Sequence, residues 1–408
     1  MKRINGVVVG AVVAGLALSA CSSTGTADKA TEGTKSPTPS LTGEPILWGL
    51  DEDSTGPGAS YSTIAGKTIR DAVDEINEKG GILGRPVKLV IGNDESDPTK
   101  APSVVRKLID DGATALFTVT ATSAINQAKP IIQETMTPTL ASIAVSSAVV
   151  SQPNADYMYA FANLTTDWTQ VFCGGWKAAG YKKLGIISDS TPTIDGLNKQ
   201  MIPKFQECIE IVAQEKAAVD ATDVSAQVAK VKEAGADVVL VSSVGGNFEV
   251  LTQNTLFQQL PSVQRFSLAS IGNQVANWKL ANPGALDKLV FMGSLDKTNK
   301  RTQELTALLQ KRRGSDYVMS AYDAQAYQGV QALKAAVEKA GSTDKAKVNE
   351  AMQTLTKLPA YFGQPTFTLS FSKDKHLGAD GLCGLVLTEF GADNKPKGPW
   401  GKYQAPCS

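Results

Sequence analysis

Hydroxyl side chains recur in the segments that follow apolar runs: Tyr61, Thr120, Thr122, Ser123, Ser142 and Ser146. Hydroxyls beside the free N–H groups of a helix start receive carboxylates. Ser123 stands just ahead of a predicted helix, where that contact and plain helix capping are both open to it. Groups that break bonds are scarce. His376 is the only histidine and lies in a polar stretch that reads as an exposed turn, so a Ser-His-Asp triad has little to build on. No Gly-x-x-x-x-Gly-Lys loop appears, and Gly56-Pro57-Gly58 after the first strand lacks dinucleotide spacing. Asp51-Glu52-Asp53 reads first as a solvated loop, with a cation or a ligand amine as the alternative. Asn93 to Asp97 lacks the glycine and final glutamate of a calcium loop and reads as a turn capping a helix from Pro98. The chemistry expected is binding without catalysis, with no cofactor.

Cysteine usage speaks to compartment. Lys2 and Arg3 precede an almost wholly Gly, Ala, Val and Leu run from Gly6 to Leu18, followed by Ser19-Ala20-Cys21. A membrane span needs about 20 apolar residues, so this run fits a signal segment instead. A small residue before a cysteine at that point is the bacterial lipobox pattern. Residues 1–20 are expected to be removed and Cys21 to become a lipidated N-terminus, the chain's only hold on the membrane. The expected location is the outer face of the cytoplasmic membrane. Cys173, Cys208, Cys383 and Cys407 remain, an even number that suggests two disulfides in an exported chain. Three pairings are open; Cys173–Cys208 and Cys383–Cys407 are expected because each closes a short segment within one lobe. With no Cys-x-x-Cys and one histidine, a zinc site is not expected. Forty basic and forty acidic residues cancel, so neither nucleic acid nor an acidic membrane surface is favoured as a partner.

The elements that must position these residues alternate regularly. After a Ser-, Thr-, Gly- and Pro-rich tether over 21–44, strands are predicted at 46–50, 87–91, 115–119 and 139–144. Helices are predicted between them at 62–79, 98–111 and 124–135. The second half repeats the style, with helices at 168–179, 196–208 and 224–234 and strands at 183–188, 209–216 and 236–241. A long helix follows at 320–340, then strands at 367–371 and 385–390. Val-rich strands alternating with helices imply parallel sheets covered on both faces, here two doubly wound Rossmann-like lobes. Ligand sites in such folds lie at the carboxyl ends of the strands.

Ser54-Thr55-Gly56-Pro57 with Tyr61, then Asp74 to Arg85 (DEINEKGGILGR), then Asp94-Glu95-Ser96-Asp97-Pro98 resemble motifs of branched-chain amino acid substrate-binding proteins. The resemblance runs from about Pro45 onward. It implies an α/β, type I periplasmic binding protein fold whose two lobes are joined by three crossover strands. These crossovers are expected near Phe161–Leu164, Met292–Leu295 and Phe362–Phe367. The lobes would be 45–162 with 295–362, and 163–294 with 363–408. It further implies a non-enzymatic, monomeric lipoprotein of an ABC importer that closes on a small carboxylate ligand and delivers it to a permease. A ligand-sensing receptor is the alternative, and an envelope enzyme ranks last.

Carried over residue by residue, Tyr61 covers the ligand and Thr122 and Ser123 receive its carboxylate. Ile143 and Val145 offer backbone groups. On the second lobe Thr193 and Val244 fall near aromatic positions of the family. Ser270 falls near the acid that pairs with the ligand's α-ammonium. An unpaired ammonium there would cost several kcal/mol. Either Asp51 or Asp53 supplies the charge from the first lobe, or the ligand is an acid without an ammonium.

Overall fold

The computed structural model describes residues 41–407; the expected signal segment, Cys21 and most of the tether lie outside the described residues. Apolar runs buried on both faces build the first sheet. In chain order come β1 (Ile46–Glu52), α1 (Ala59–Glu78), β2 (Val87–Gly92), α2 (Ala101–Asp110), β3 (Ala115–Val119), α3 (Thr122–Glu134), β4 (Thr139–Ala141) and β5 (Met158–Ala160). The strands lie in the order β2-β1-β3-β4-β5, every pair parallel. Alternation along the strands divides the core. Ile46, Trp48 and Leu50 pack with Ile69 and Val73 of α1, whereas Leu116 packs with Val105 of α2 and Ile125 of α3.

The second lobe continues with α4 (Thr165–Ala179), β6 (Lys183–Asp189), α5 (Pro192–Gln206), β7 (Glu210–Ala217), α6 (Ser225–Glu233) and β8 (Val238–Ser242). It is completed by α7 (Gly246–Gln259), β9 (Gln264–Ser267), α8 (Ser270–Asn273), α9 (Val275–Trp278) and β10 (Val290–Gly293). The chain then returns to the first lobe as α10 (Lys300–Arg313), α11 (Ala321–Ala340), α12 (Lys345–Met352), β11 (Leu358–Pro359) and β12 (Thr368–Leu369). It crosses again to supply β13 (Val386–Phe390) and β14 (Pro396–Pro399). The second sheet has the order β14-β13-β10-β9-β8-β6-β7, parallel except for β13 and β14, which run antiparallel at one edge. This is the two-lobed, doubly wound architecture expected.

Several elements differ from the sequence reading. α7 was not expected, because its buried face carries Glu249, Thr252 and Gln253 and so shows no apolar period. β9 and β10 are four residues each, too short to leave a pattern. α2 starts at Ala101 with no side-chain cap, and Asp97 instead binds the Thr99 N–H at 2.7 Å in the turn ahead of it.

The third crossing is a correction. Phe367, Leu369 and Phe371 are fully buried in the first lobe's core, so the chain leaves that lobe near Gly381–Leu385 and not near Phe362. His376 is corrected too. Its ring stacks on Tyr159 at 4.7 Å, and Nδ1 lies 2.9 Å from the Ala155 carbonyl, so it belongs to the packing of this returning segment.

The crossing segments touch. Asn163 donates to the Gly381 carbonyl at 3.0 Å, and the Gly363 N–H of the first lobe donates to the Ser294 carbonyl of the second crossing at 2.6 Å. Cys173 of α4 is bonded to Cys208 just beyond α5, and Cys383 to Cys407. The second bridge joins the third crossing to the chain's end, where the Leu382 N–H also donates to the Pro406 carbonyl at 3.1 Å. Among the described residues no helix is long and apolar enough to cross a membrane.

Candidate functional site

The order of the first sheet reverses between β1 and β3, and the loops at their carboxyl ends build one wall of a site. Asp53 sets the first loop. Its carboxylate accepts the N–H groups of Thr55, Gly56 and Gly58 at 3.2, 2.5 and 2.6 Å, and its own N–H donates to Ser62 at 2.8 Å. Gly56 has to be glycine, since a Cβ there would stand 2.1 Å from the Glu95 carbonyl oxygen. The second loop is set by Asp94, whose Oδ1 accepts from the Ser96 N–H at 2.8 Å and from Thr120 at 2.7 Å. Ser96 lies 3.2 Å from Thr120, and its hydroxyl and that of Tyr61 both face Gly58. Burial raises the Tyr61 phenol above its ordinary value, keeping it neutral.

α3 begins at the end of this hydroxyl row. Its N-cap is Ala121, which has no side chain to occupy the first N–H groups. Thr122 and Ser123 are the first two helical residues, half-buried and exposed. Ser123 is therefore not the cap. An uncapped start of a 13-residue helix, flanked by two hydroxyls, can take a carboxylate.

The other expected residues are placed as follows. Ile143 is buried in the first lobe's core. Val145 packs against the second lobe's core, and its carbonyl accepts the Thr165 N–H at 3.1 Å, so that oxygen is occupied. Ser142 is buried against Gly329 of α11, away from the row. Thr193 is exposed in the first turn of α5. Ser270 is half-buried at the start of α8.

Val244 follows β8, with its N–H bound to Asp189 at 2.8 Å and its carbonyl to Gln274 at 3.2 Å. Of the expected set, only Val244 lines the open cleft of about 760 Å³ in which Ser60 of the first lobe meets loops of the second. Gly245, Gly246 and Asn247 at the uncapped start of α7, Gln274, and Asp220 line it as well. Gln274 reaches the Gly246 N–H at 2.9 Å, and a Cβ on Gly245 would stand 2.4 Å from that same amide.

Asp53 is fully used by the first loop. Asp51 is 1% exposed and lies beside Asp94, so neither reaches the cleft as an ammonium partner. Asp220, which the sequence reading passed over, is the only acid lining the cleft among the described residues. Asn273 was also passed over. Its Oδ1 accepts the Ala321 N–H at 3.0 Å, tying α8 of the second lobe to the start of α11 in the first. Tyr322, the next residue, stands 6.0 Å from Tyr61, ring to ring. Burial raises the Tyr322 phenol to about 12. Among the described residues no group of three acids, histidines or cysteines is disposed to hold a metal.

Residues 48–382 match the family model described as periplasmic binding protein. A Leu/Ile/Val-binding protein homolog 2 of Brucella abortus is 27% identical over 362 residues, covering 88% of this chain and 92% of that one. A leucine-, isoleucine-, valine-, threonine- and alanine-binding protein of Pseudomonas aeruginosa is 24% identical over 341 residues, covering 82% and 87%. Among solved structures, the branched-chain amino acid transporter substrate-binding protein LivJ of Streptococcus pneumoniae, in complex with isoleucine, superposes with a TM-score of 0.73. It is 19% identical, over 87% of this chain and 98% of that one, a likeness of fold.

Proposed function

The chain belongs to the periplasmic binding protein family, and from that premise we propose that it is the extracytoplasmic, lipid-anchored binding subunit of an ABC importer. It captures a small carboxylate-bearing ligand, an amino acid or a related organic or aromatic acid, and hands it to a membrane permease. The observation that carries this reading is the uncapped start of α3 beside Tyr61, Ser96 and Thr120. Thr122, Ser123 and the first N–H groups of α3 receive the carboxylate. The second lobe closes over it about the three crossing segments, with Asn273 latching onto α11. Closure strips water from the ligand, so each polar group on it needs a partner. Ser270 offers no charge to an ammonium; Asp220 is the acid within the cleft that does. No bond of the ligand is broken, and the protein works as a monomer.

Thermal unfolding with a panel of amino acids and acids lacking an ammonium tests this reading. A ligand at a hundredfold excess over its dissociation constant adds about 2.7 kcal/mol. A shift with leucine, isoleucine or valine that is lost in Asp220→Asn supports an amino acid. A shift only with acids lacking an ammonium moves the cargo to that class. Silence across the panel removes the carboxylate reading. The anchor has its own test: Cys21→Ala should move the protein from membranes to the soluble fraction, and continued retention would remove the lipid.

A further inference from the structure

A second cavity, of about 490 Å³, lies where the chain returns from the second lobe to the first. It is separate from the site built on α3: neither Tyr61, Thr122 nor Ser123 lines it, and Val244 does not either. Its apolar wall comes from both lobes, with Trp278 and Phe291 on one side, Ala307, Val318 and Met319 on the other, and Leu295 of the crossing segment between. The size suits a small molecule.

Most polar groups of the wall are already spent on the protein. Trp278 Nε1 donates to the Ile271 carbonyl at 2.7 Å, Thr306 Oγ1 to Thr302 at 2.7 Å, and Gln303 Nε2 to Lys297 at 2.7 Å. Thr388 Oγ1 donates to the Val386 carbonyl at 3.1 Å. An occupant therefore meets hydrocarbon over most of its surface. Charge enters only with Lys297 and Lys395, both exposed; no acidic residue lines the cavity. Lys297 donates to the Pro396 carbonyl at 3.0 Å, which joins the two lobes across this side of the cavity. Two ammonium groups and no carboxylate favour a negative end on the occupant.

We propose that this cavity is a second ligand site, distinct from the carboxylate site on α3, for a small anion with an apolar body, such as an aliphatic or aromatic carboxylate. Bound there, the occupant touches both lobes and the strand that joins them. Its binding is linked to the angle between the lobes.

Decanoate, titrated calorimetrically into the full chain in the absence of detergent, tests this. We expect one-to-one binding, weakened at least tenfold in Lys395→Glu and lost in Ala307→Trp, whose exposed position admits a ring into the cavity mouth. Thr122→Ala/Ser123→Ala should bind decanoate as the parent does. Unchanged melting temperatures of Lys395→Glu and Ala307→Trp show that they fold. No binding by the parent, equal binding of decylammonium, or a loss confined to the Thr122/Ser123 variant would each overturn the proposal. The last result would place decanoate in the cleft and leave that reading standing.

Discussion

Asp51 and Asp94 lie beside each other at the carboxyl ends of β1 and β2, both fully buried. Both oxygens of Asp51 and Oδ2 of Asp94 have no hydrogen-bond partner among the described residues, and no cation stands beside them to pair the charge. Burial first, and then the neighbouring Asp94, push the Asp51 carboxyl well above its ordinary range. Asp94 is raised as well, chiefly by burial. Both shifts favour keeping a proton on this pair in the folded chain.

That proton gives the pair a pH signature. The unfolded chain releases it near pH 4, whereas the folded chain keeps it to higher pH. The pair's contribution to stability is therefore complete below about pH 4 and is lost as pH rises through the folded value. Asp51→Asn puts a neutral amide beside Asp94 in place of the titrating carboxyl. We expect it to match the parent near pH 4 and to be more stable at pH 7 by about 1–3 kcal/mol. Melting temperatures of the two proteins between pH 4 and 8 measure this; parallel curves would exclude a retained proton.

Arg313 offers the opposite case. Its guanidinium is buried and binds Asp71 at 2.7 Å, Asp323 at 2.8 Å and Thr68 at 2.7 Å, joining α10, α1 and α11. Asp323 in turn completes a capping box with Ser320 at the start of α11. Arg313→Met leaves a buried carboxylate without its cation and should cost about 3–5 kcal/mol. Adding Asp323→Asn should recover part of that loss in denaturant unfolding. An undiminished loss would mean that packing, and not charge, is what Arg313 provides.

Thr122→Ala/Ser123→Ala removes the two hydroxyls at the start of α3 and leaves its N–H groups in place. Hydrogen bonds to a charged ligand contribute about 1.5–3 kcal/mol each. Ligand affinity should fall at least tenfold by calorimetry, with the melting temperature of the empty protein almost unchanged because neither residue caps the helix. Full affinity in the variant would remove these hydroxyls from the site.

The Cys173–Cys208 bridge closes a loop of sequence separation 35 within the second lobe. Replacing both cysteines by serine should cost about 3–4 kcal/mol. The loss should appear in the unfolding midpoint, while ligand affinity holds. A fall in affinity would tie the bridge to the cleft.

What the sequence disclosed depended on locality. β1, β3 and β8 are continuous apolar runs bounded by turns, so their position follows from the residues themselves. The run from Phe367 to Phe371 is equally apolar, yet which lobe buries it is decided by contacts with Tyr159 and Phe161, more than 200 positions away. No local pattern carries that information. The hydroxyl row at the start of α3 could be read because loops after strands are where ligands meet such folds. Asn273 could not, since a lone amide in the weakly patterned stretch from Ser267 to Trp278 gains meaning only when α11 arrives opposite it. Asp51 was legible as an acid but not as one whose carboxyl is pushed upward, because that depends on burial and on Asp94 beside it from the next loop.

The bridge between Cys383 and Cys407 sits where the crossing segments gather, with Gln364 holding the Ala405 carbonyl at 2.7 Å. In a rotation, displacement grows with distance from the axis, and atoms on the axis barely move. In the closure proposed above, a covalent brace placed there holds the chain's last residues through the swing without resisting it. The same brace at the cleft mouth would fix the aperture. Durability and freedom of movement are thus kept apart by location: the tail is riveted to the pivot, and the jaws stay loose.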